Sequence, residues 1–228
     1  MGVIKSMKIL VCGDSYATDY EHYSWLKLVE NYFNCRATTT NFARAASSVN
    51  YSYKRLKHSL DTDGYDVVIF VLTSADRPYH RDMMIHGGFP QNNDGTPVSN
   101  KLKEAIKSYY LHLYDSENTS LCHSMACHAL AQISLEFPNT KFIFIPAFTD
   151  FENITKGNCV ITSNELSYYT RLDKKGYAME LRGEPCDVRA NHLSSRQNET
   201  LSNYVINFID NYEFGVVNYK SLDKLKTI

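Results

Sequence analysis

A hydroxyl, an imidazole and a carboxylate can together perform acyl transfer, and this chain places one of each where a fold could hold them. Residues 8–20 read KILVCGDSYATDY, in which an apolar run, Ile9 to Cys12, ends abruptly in Gly13-Asp14-Ser15. Glycine permits a sharp exit from a strand. A serine just beyond it stands at the start of a turn or helix, where free backbone N–H groups stabilise a developing oxyanion. A serine nucleophile needs a base, and His192 lies in CDVRANHLSSRQNETL, immediately before the last helical segment. An acid should orient the imidazole. Asp187, five residues earlier, is the nearest upstream carboxylate, with Asn191 or a backbone carbonyl as the alternatives. Each residue also has a structural reading: Ser15 as a turn or cap serine, His192 as a capping or exposed histidine, Asp187 as a solvated loop carboxylate. Asp14 reads as structural, bonding nearby N–H groups as Asp does in turns.

The elements that must position these groups follow from periodicity. Residues 7–12 predict a buried strand, and 66–72 (DVVIFVL) and 141–146 (KFIFIP) predict two more, being short apolar runs rich in branched and aromatic side chains. Residues 36–42 (RATTTNF) suit a further strand. Apolar residues three and four apart predict amphipathic helices over 21–33, 47–60 (with Ser47 or Ser48 as cap) and 195–209, and residues 101–114 and 118–136 also read as helices. Residues 76–100 hold Gly, Pro and Asn without a period, a long loop of the kind that serves function. Residues 149–190 read as irregular with one edge strand. Alternating strands and helices imply an α/β sandwich of three layers around a mostly parallel sheet of about five strands, flavodoxin-like in plan. Ligands of such sheets sit at the carboxyl ends of the strands, where Ser15 falls. The expected organisation is one domain over 1–214, followed by a polar tail over 215–228.

Composition narrows the function. The chain has 228 residues, 43% hydrophobic, with 24 basic and 25 acidic side chains. That balance gives no reason to expect nucleic acid or an anionic membrane as partner. The 17 tyrosines suit half-buried positions, where an apolar body carries a polar tip. Cysteines at 12, 35, 122, 127, 159 and 186 form no disulfide-like framework. The N-terminus is too short in apolar residues for a signal peptide, and no apolar stretch is long enough to span a membrane. A cytoplasmic location is therefore expected. Met1-Gly2 with Ser6 fits a myristoylation pattern, against which stands a strand beginning at about residue 7. CHSMACH, residues 122–128, puts His123 and Cys127 on one helical face. One helix supplies two zinc ligands of the four a site needs, and His112 is the nearest further candidate, so packing against the sheet is the better reading and no metal or cofactor is expected.

GDS after the first strand, an Asp and a His late in the chain before a C-terminal helix, and the three-layer pattern together resemble the SGNH/GDSL hydrolases. These are esterases, lipases, thioesterases and carbohydrate deacetylases. The resemblance runs from about Met7 to Ile209. It implies Ser15 as nucleophile and His192 as base. Where the family has Asn and, five residues on, Gly, this chain has Asn41 and Ala46; the contact there is a backbone N–H, so Ala46 can supply it. Where the family has Gly-x-Asn-Asp, this chain reads Thr73-Ser74-Ala75-Asp76. The side-chain amide donor is thus replaced by Ala75, a loss worth about 10²–10³ in rate, unless Thr73 or Ser74 supplies a hydroxyl. Where the family has Asp-x-x-His, Arg189 holds the Asp position and Asp187 lies two residues further back. Arg77 either clamps a substrate carboxylate or phosphate or pairs with Asp76 or Asp14. Tyr79 and Phe89 are stacking candidates in the 76–100 loop. The TSADR and NHLS segments resemble divergent members carried by bacteriophages. The function this implies is hydrolysis of small or carbohydrate-borne O-esters. The alternative is a fold that has lost activity and serves as a binding or virion-associated module.

Overall fold

Six sheet strands and five main helices among the described residues resolve the alternating signals. The computed structural model describes residues 6–18, 24–77, 83–84, 91–92, 98–148, 151, 154, 156–163, 165–169, 193–212, 214 and 217–222. The elements run β1 (Met7–Cys12), α1 (Trp25–Phe33), β2 (Ala37–Asn41), α2 (Val49–Thr62), β3 (Val67–Leu72), β4 (Met83–Met84), β5 (Gln91–Asn92), α3 (Asn100–His112), α4 (Ser116–Glu136), β6 (Lys141–Pro146), β7 (Cys159–Ser163), α5 (Ser195–Asp210) and β8 (Asn218–Ser221). β4 and β5 form a two-residue antiparallel ladder of their own within the 76–100 loop.

The main sheet has the order β2-β1-β3-β6-β7-β8, and every pairing in it is parallel. From β1 the chain steps outward to β2, then returns past β1 to β3. The order therefore reverses between β1 and β3, the kind of switch point at which sheets of this type bind ligands. Ser15, at the end of β1, lies at that switch point.

Side chains alternate across the strands and build two cores. Ile9 and Val11 of β1, Ile69 and Val71 of β3 face a layer built on Trp25 and Val29 of α1 and Leu201 and Val205 of α5. Leu10, Cys12, Phe70 and Phe144 face the other layer, built on Leu56 of α2 and Leu130 and Ile133 of α4. β3 is buried along its whole length, as a central strand covered on both faces must be.

The sheet has one strand more than expected. Residues 218–221 lie in the segment read as a polar tail, yet β8 pairs with β7 from Val160↔Asn218 to Ser163↔Ser221, and Leu222 is fully buried. β7, expected at an edge, is consequently an interior strand. An edge strand has one partner and can be polar, so Asn-Tyr-Lys-Ser carries no apolar signal. Of the two cap candidates for α2, Ser48 takes the role, accepting from the Tyr51 N–H. α4 begins at Ser116, two residues before the predicted start, because the Asp115 carboxylate caps it through the Glu117 N–H.

Candidate active site

β1 ends where its backbone needs a residue without a side chain. Gly13 has φ +154, and a Cβ there would stand 2.7 Å from Val71 Cβ and 2.9 Å from the Val71 carbonyl oxygen of β3. The chain then turns into a short 3-10 helix, Ser15–Ala17, capped by Asp14, whose Oδ1 accepts the Tyr16 N–H at 3.1 Å. Ser15 is half-buried, at the head of that helix.

A second turn is stapled beneath the first. The Ser47 N–H closes on the Arg44 carbonyl at 3.0 Å, and between them Ala46 adopts φ 58. Turns with a positive φ at their third residue usually have glycine there. The Gly13 carbonyl accepts the Arg44 N–H (3.0 Å) and the hydroxyls of Ser47 (2.8 Å) and Ser52 (3.3 Å). Asn41, at the end of β2, donates from Nδ2 to the Ala17 carbonyl and accepts the Ala43 N–H on Oδ1. It thus ties the Ser15 helix to the start of the second turn. The Ala46 N–H has no hydrogen-bond partner among the described residues.

The exit of β3 forms the third wall. Thr73 is fully buried, and its hydroxyl donates to Asp14 Oδ2 at 2.9 Å. Arg77 Nη1 donates to the same carboxylate oxygen at 3.0 Å and to Thr73 Oγ1 at 2.6 Å. Of the pairings open to Arg77, the ion pair with Asp14 is the one formed, with side chains 3% and 0% exposed. The Thr73 proton is spent on Asp14, which removes this hydroxyl from the two offered in place of the absent amide; the half-buried Ser74 is left. Asp76 is half-buried, and its carbonyl accepts the Tyr110 hydroxyl. Burial, with the Asp76 carboxylate adding to it, pushes the Tyr110 phenol up to about 12, so this hydroxyl stays a donor at neutral pH.

Tryptophan links the Ser15 turn to the segment entering α5. Trp25 Nε1 donates to the Tyr16 carbonyl at 2.6 Å, and the Trp25 backbone N–H donates to Asn198 Oδ1 at 3.0 Å. Asn198 in turn donates to the carbonyls of Leu193 and Ser194. α5 starts with a reciprocal capping box between Ser194 and Gln197. Asp187, Arg189, Asn191 and His192, like Tyr79 and Phe89, lie outside the described residues.

Two contributors were not singled out by sequence. Ser47, considered as a cap, instead holds the Gly13 carbonyl across 34 residues. Phe148, just past β6, takes the Arg77 guanidinium on its face at 4.8 Å and meets Tyr16 edge-on at 5.5 Å. An aromatic residue directly beyond a strand's carboxyl end was the available signal for Phe148; Ser47 had none. On α4, His123 Nε2 and Cys127 Sγ are 3.6 Å apart and both residues are buried. Among the described residues no group of three or more His, Cys, Asp or Glu side chains converges.

No protein-family model matches this sequence, and no curated protein does. Solved structures do. A lipolytic protein of the G-D-S-L family from Desulfitobacterium hafniense aligns over 88% of this chain and 98% of its own, at 12% identity and a TM-score of 0.47. An acetyl xylan esterase, AlAXEase, aligns over 97% of this chain and 80% of its own at 9% identity, with a TM-score of 0.41. The psychrotrophic esterase EstA from a Pseudoalteromonas species aligns over 60% of this chain and 58% of its own at 12% identity, with a TM-score of 0.35. The match thus takes in less than two thirds of EstA, and also of TesA, of which it spans 62%. These matches assign neither an activity nor a catalytic residue.

Proposed function

We propose that this protein is a serine esterase acting on small or carbohydrate-borne O-esters, acetyl esters among them. The observation that carries the reading is the placement of Ser15. It heads a short helix at the switch point of the sheet, and the turn bonded to the Gly13 carbonyl just before it holds a left-handed Ala46 whose N–H has no partner among the described residues. The bonds through Trp25 and Asn198 support it further, since they tie the backbone next to Ser15 to the residues that follow His192.

In this reading His192 removes the proton from Ser15 Oγ as that oxygen attacks the ester carbonyl. Asp187 orients the imidazole. The backbone N–H groups of Ser15 and Ala46 bind the oxyanion of the tetrahedral intermediate, with the Ser74 hydroxyl as the side-chain donor available where the family has an amide. The intermediate expels the alcohol, which takes the proton from His192. Water, deprotonated by His192, then attacks the acyl-enzyme, releasing the carboxylic acid and regenerating Ser15. No cofactor takes part. Asp14 and Thr73 serve the scaffold of the nucleophile turn and do not touch substrate, and Asp76, beside the loop that begins there, belongs to the substrate wall.

A serine-directed fluorophosphonate tests this directly. Mass spectrometry should find the phosphonyl adduct on Ser15. Labelling elsewhere, or labelling that survives Ser15→Ala, contradicts the reading. One observation favours the alternative of a binding module: Ala75 replaces the amide donor and the Thr73 hydroxyl is committed to Asp14. That alternative predicts no adduct at all on folded protein.

A further inference from the structure

Resting on the reading of Ser15 as nucleophile, we propose that Arg77 is a positioning residue that grips the Ser15 turn on both sides. Asp14 precedes Ser15 and Tyr16 follows it. Arg77 Nη1 holds the Asp14 carboxylate at 3.0 Å, and that carboxylate accepts the Tyr16 N–H on its other oxygen. The guanidinium carbon lies 4.8 Å from the centre of the Phe148 ring, which packs edge-on against the Tyr16 ring at 5.5 Å. The same Nη1 donates to Thr73 Oγ1 at 2.6 Å and lies 3.4 Å from the Ser47 carbonyl. One side chain therefore fixes the nucleophile turn, the Arg44–Ser47 turn that presents the Ala46 N–H, and the exit of β3 relative to one another.

Stability is a poor explanation for such an arrangement. Taking both charges out of water is costly, and apolar replacements of a buried pair are often neutral or stabilising. Arg77 also leaves its buried Nε without a hydrogen-bond partner among the described residues, a further cost to folding. What the pair supplies is register. The nucleophile and its oxyanion donors stand on loops from three different strands, and misplacement by about 1 Å costs on the order of 10²-fold in rate. Lysine cannot substitute: it offers a point charge to Asp14 but no planar face to Phe148.

The test uses the full chain and compares wild type, Arg77→Lys, Arg77→Met and the neutral pair Asp14→Asn/Arg77→Met. The asparagine side chain of the neutral pair keeps an acceptor for the Tyr16 N–H and leaves no uncompensated charge. Each is assayed for thermal unfolding, fluorophosphonate labelling rate, and kcat and KM on a short-chain chromogenic ester. Arg77→Lys and the neutral pair should fold, lose about tenfold or more in both kcat and labelling rate, and keep KM within about twofold. Arg77→Met should lose more and unfold at lower temperature. Recovery of wild-type kcat in the neutral pair would mean that Arg77 merely compensates a buried charge, and would overturn the proposal. So would wild-type labelling in folded Arg77→Lys. Wild type that takes no label at Ser15 removes the nucleophile reading, and the role of Arg77 falls with it; labelled wild type with indifferent Arg77 variants removes the role alone.

Discussion

Two backbone conformations decide the geometry at the carboxyl end of β1. At Gly13 a Cβ has nowhere to go, because the Val71 backbone and side chain stand 2.9 and 2.7 Å from where it would be. Gly13→Ala should therefore cost about 3 kcal/mol or more, combining overpacking with strain at a positive φ, read as a lowered denaturant midpoint. Ala46 presents the opposite case. Its φ of 58 carries a steric penalty of about 1 kcal/mol that glycine lacks. Ala46→Gly should stabilise the protein by up to that amount, raising Tm by about 2–4 °C; a lowered Tm would contradict the strained conformation assigned to this turn. At this scale the sequence was partly legible. Gly13-Asp14-Ser15 after a buried run announces a strand exit, whereas the positive φ of Ala46 is visible only in the structure. For Arg77 the sequence offered Asp14 only as one alternative among several, because the bond spans 63 residues and a charge pattern along the chain cannot choose between such pairs.

The elements were read well wherever burial imposes a pattern. β1, β3 and β6 stand out as apolar runs because both of their faces are covered. β8 did not stand out, since an edge position asks little of side-chain chemistry. The start of α5 matters most for the site. Its capping box and the bonds of Asn198 to Leu193, Ser194 and Trp25 hold the chain just after His192. Ser194→Ala should cost about 1 kcal/mol. Asn198→Ala strands a buried Trp25 N–H and should cost about 2 kcal/mol. In the esterase reading it should also lower kcat, because it loosens the tie between the two halves of the site. A stability loss with kcat unchanged would separate this capping from catalysis.

For the whole molecule, burial sets the response to alkali and to thiol reagents. Cys12 and Cys159 are buried, and desolvation pushes both thiols from 9.0 up to about 12. The folded state then keeps protons that the unfolded state releases, so between about pH 9 and 12 stability falls as pH rises, by roughly 1 kcal/mol per pH unit for each thiol. Tyr212, also shifted upward by burial, acts with the same sign. Denaturation midpoints measured from about pH 7 to about pH 10.5 should be level at first and fall beyond about pH 9. Among the described cysteines, Cys35 and Cys122 are exposed and should react rapidly with a thiol reagent in native protein, whereas Cys12, Cys127 and Cys159 should react only on unfolding. The parallel order of the sheet sets the whole plan. It brings the carboxyl ends of β1, β2 and β3 to one edge of the sheet, where the Ser15 turn stands.

The most direct measurement is hydrolysis of a short-chain chromogenic ester by the native protein, by Ser15→Ala and by His192→Ala, each verified as folded. The native protein should turn over the ester, and each variant should lose about 10³-fold or more, since nucleophile and base act as a unit. Turnover that persists in Ser15→Ala would contradict the esterase reading.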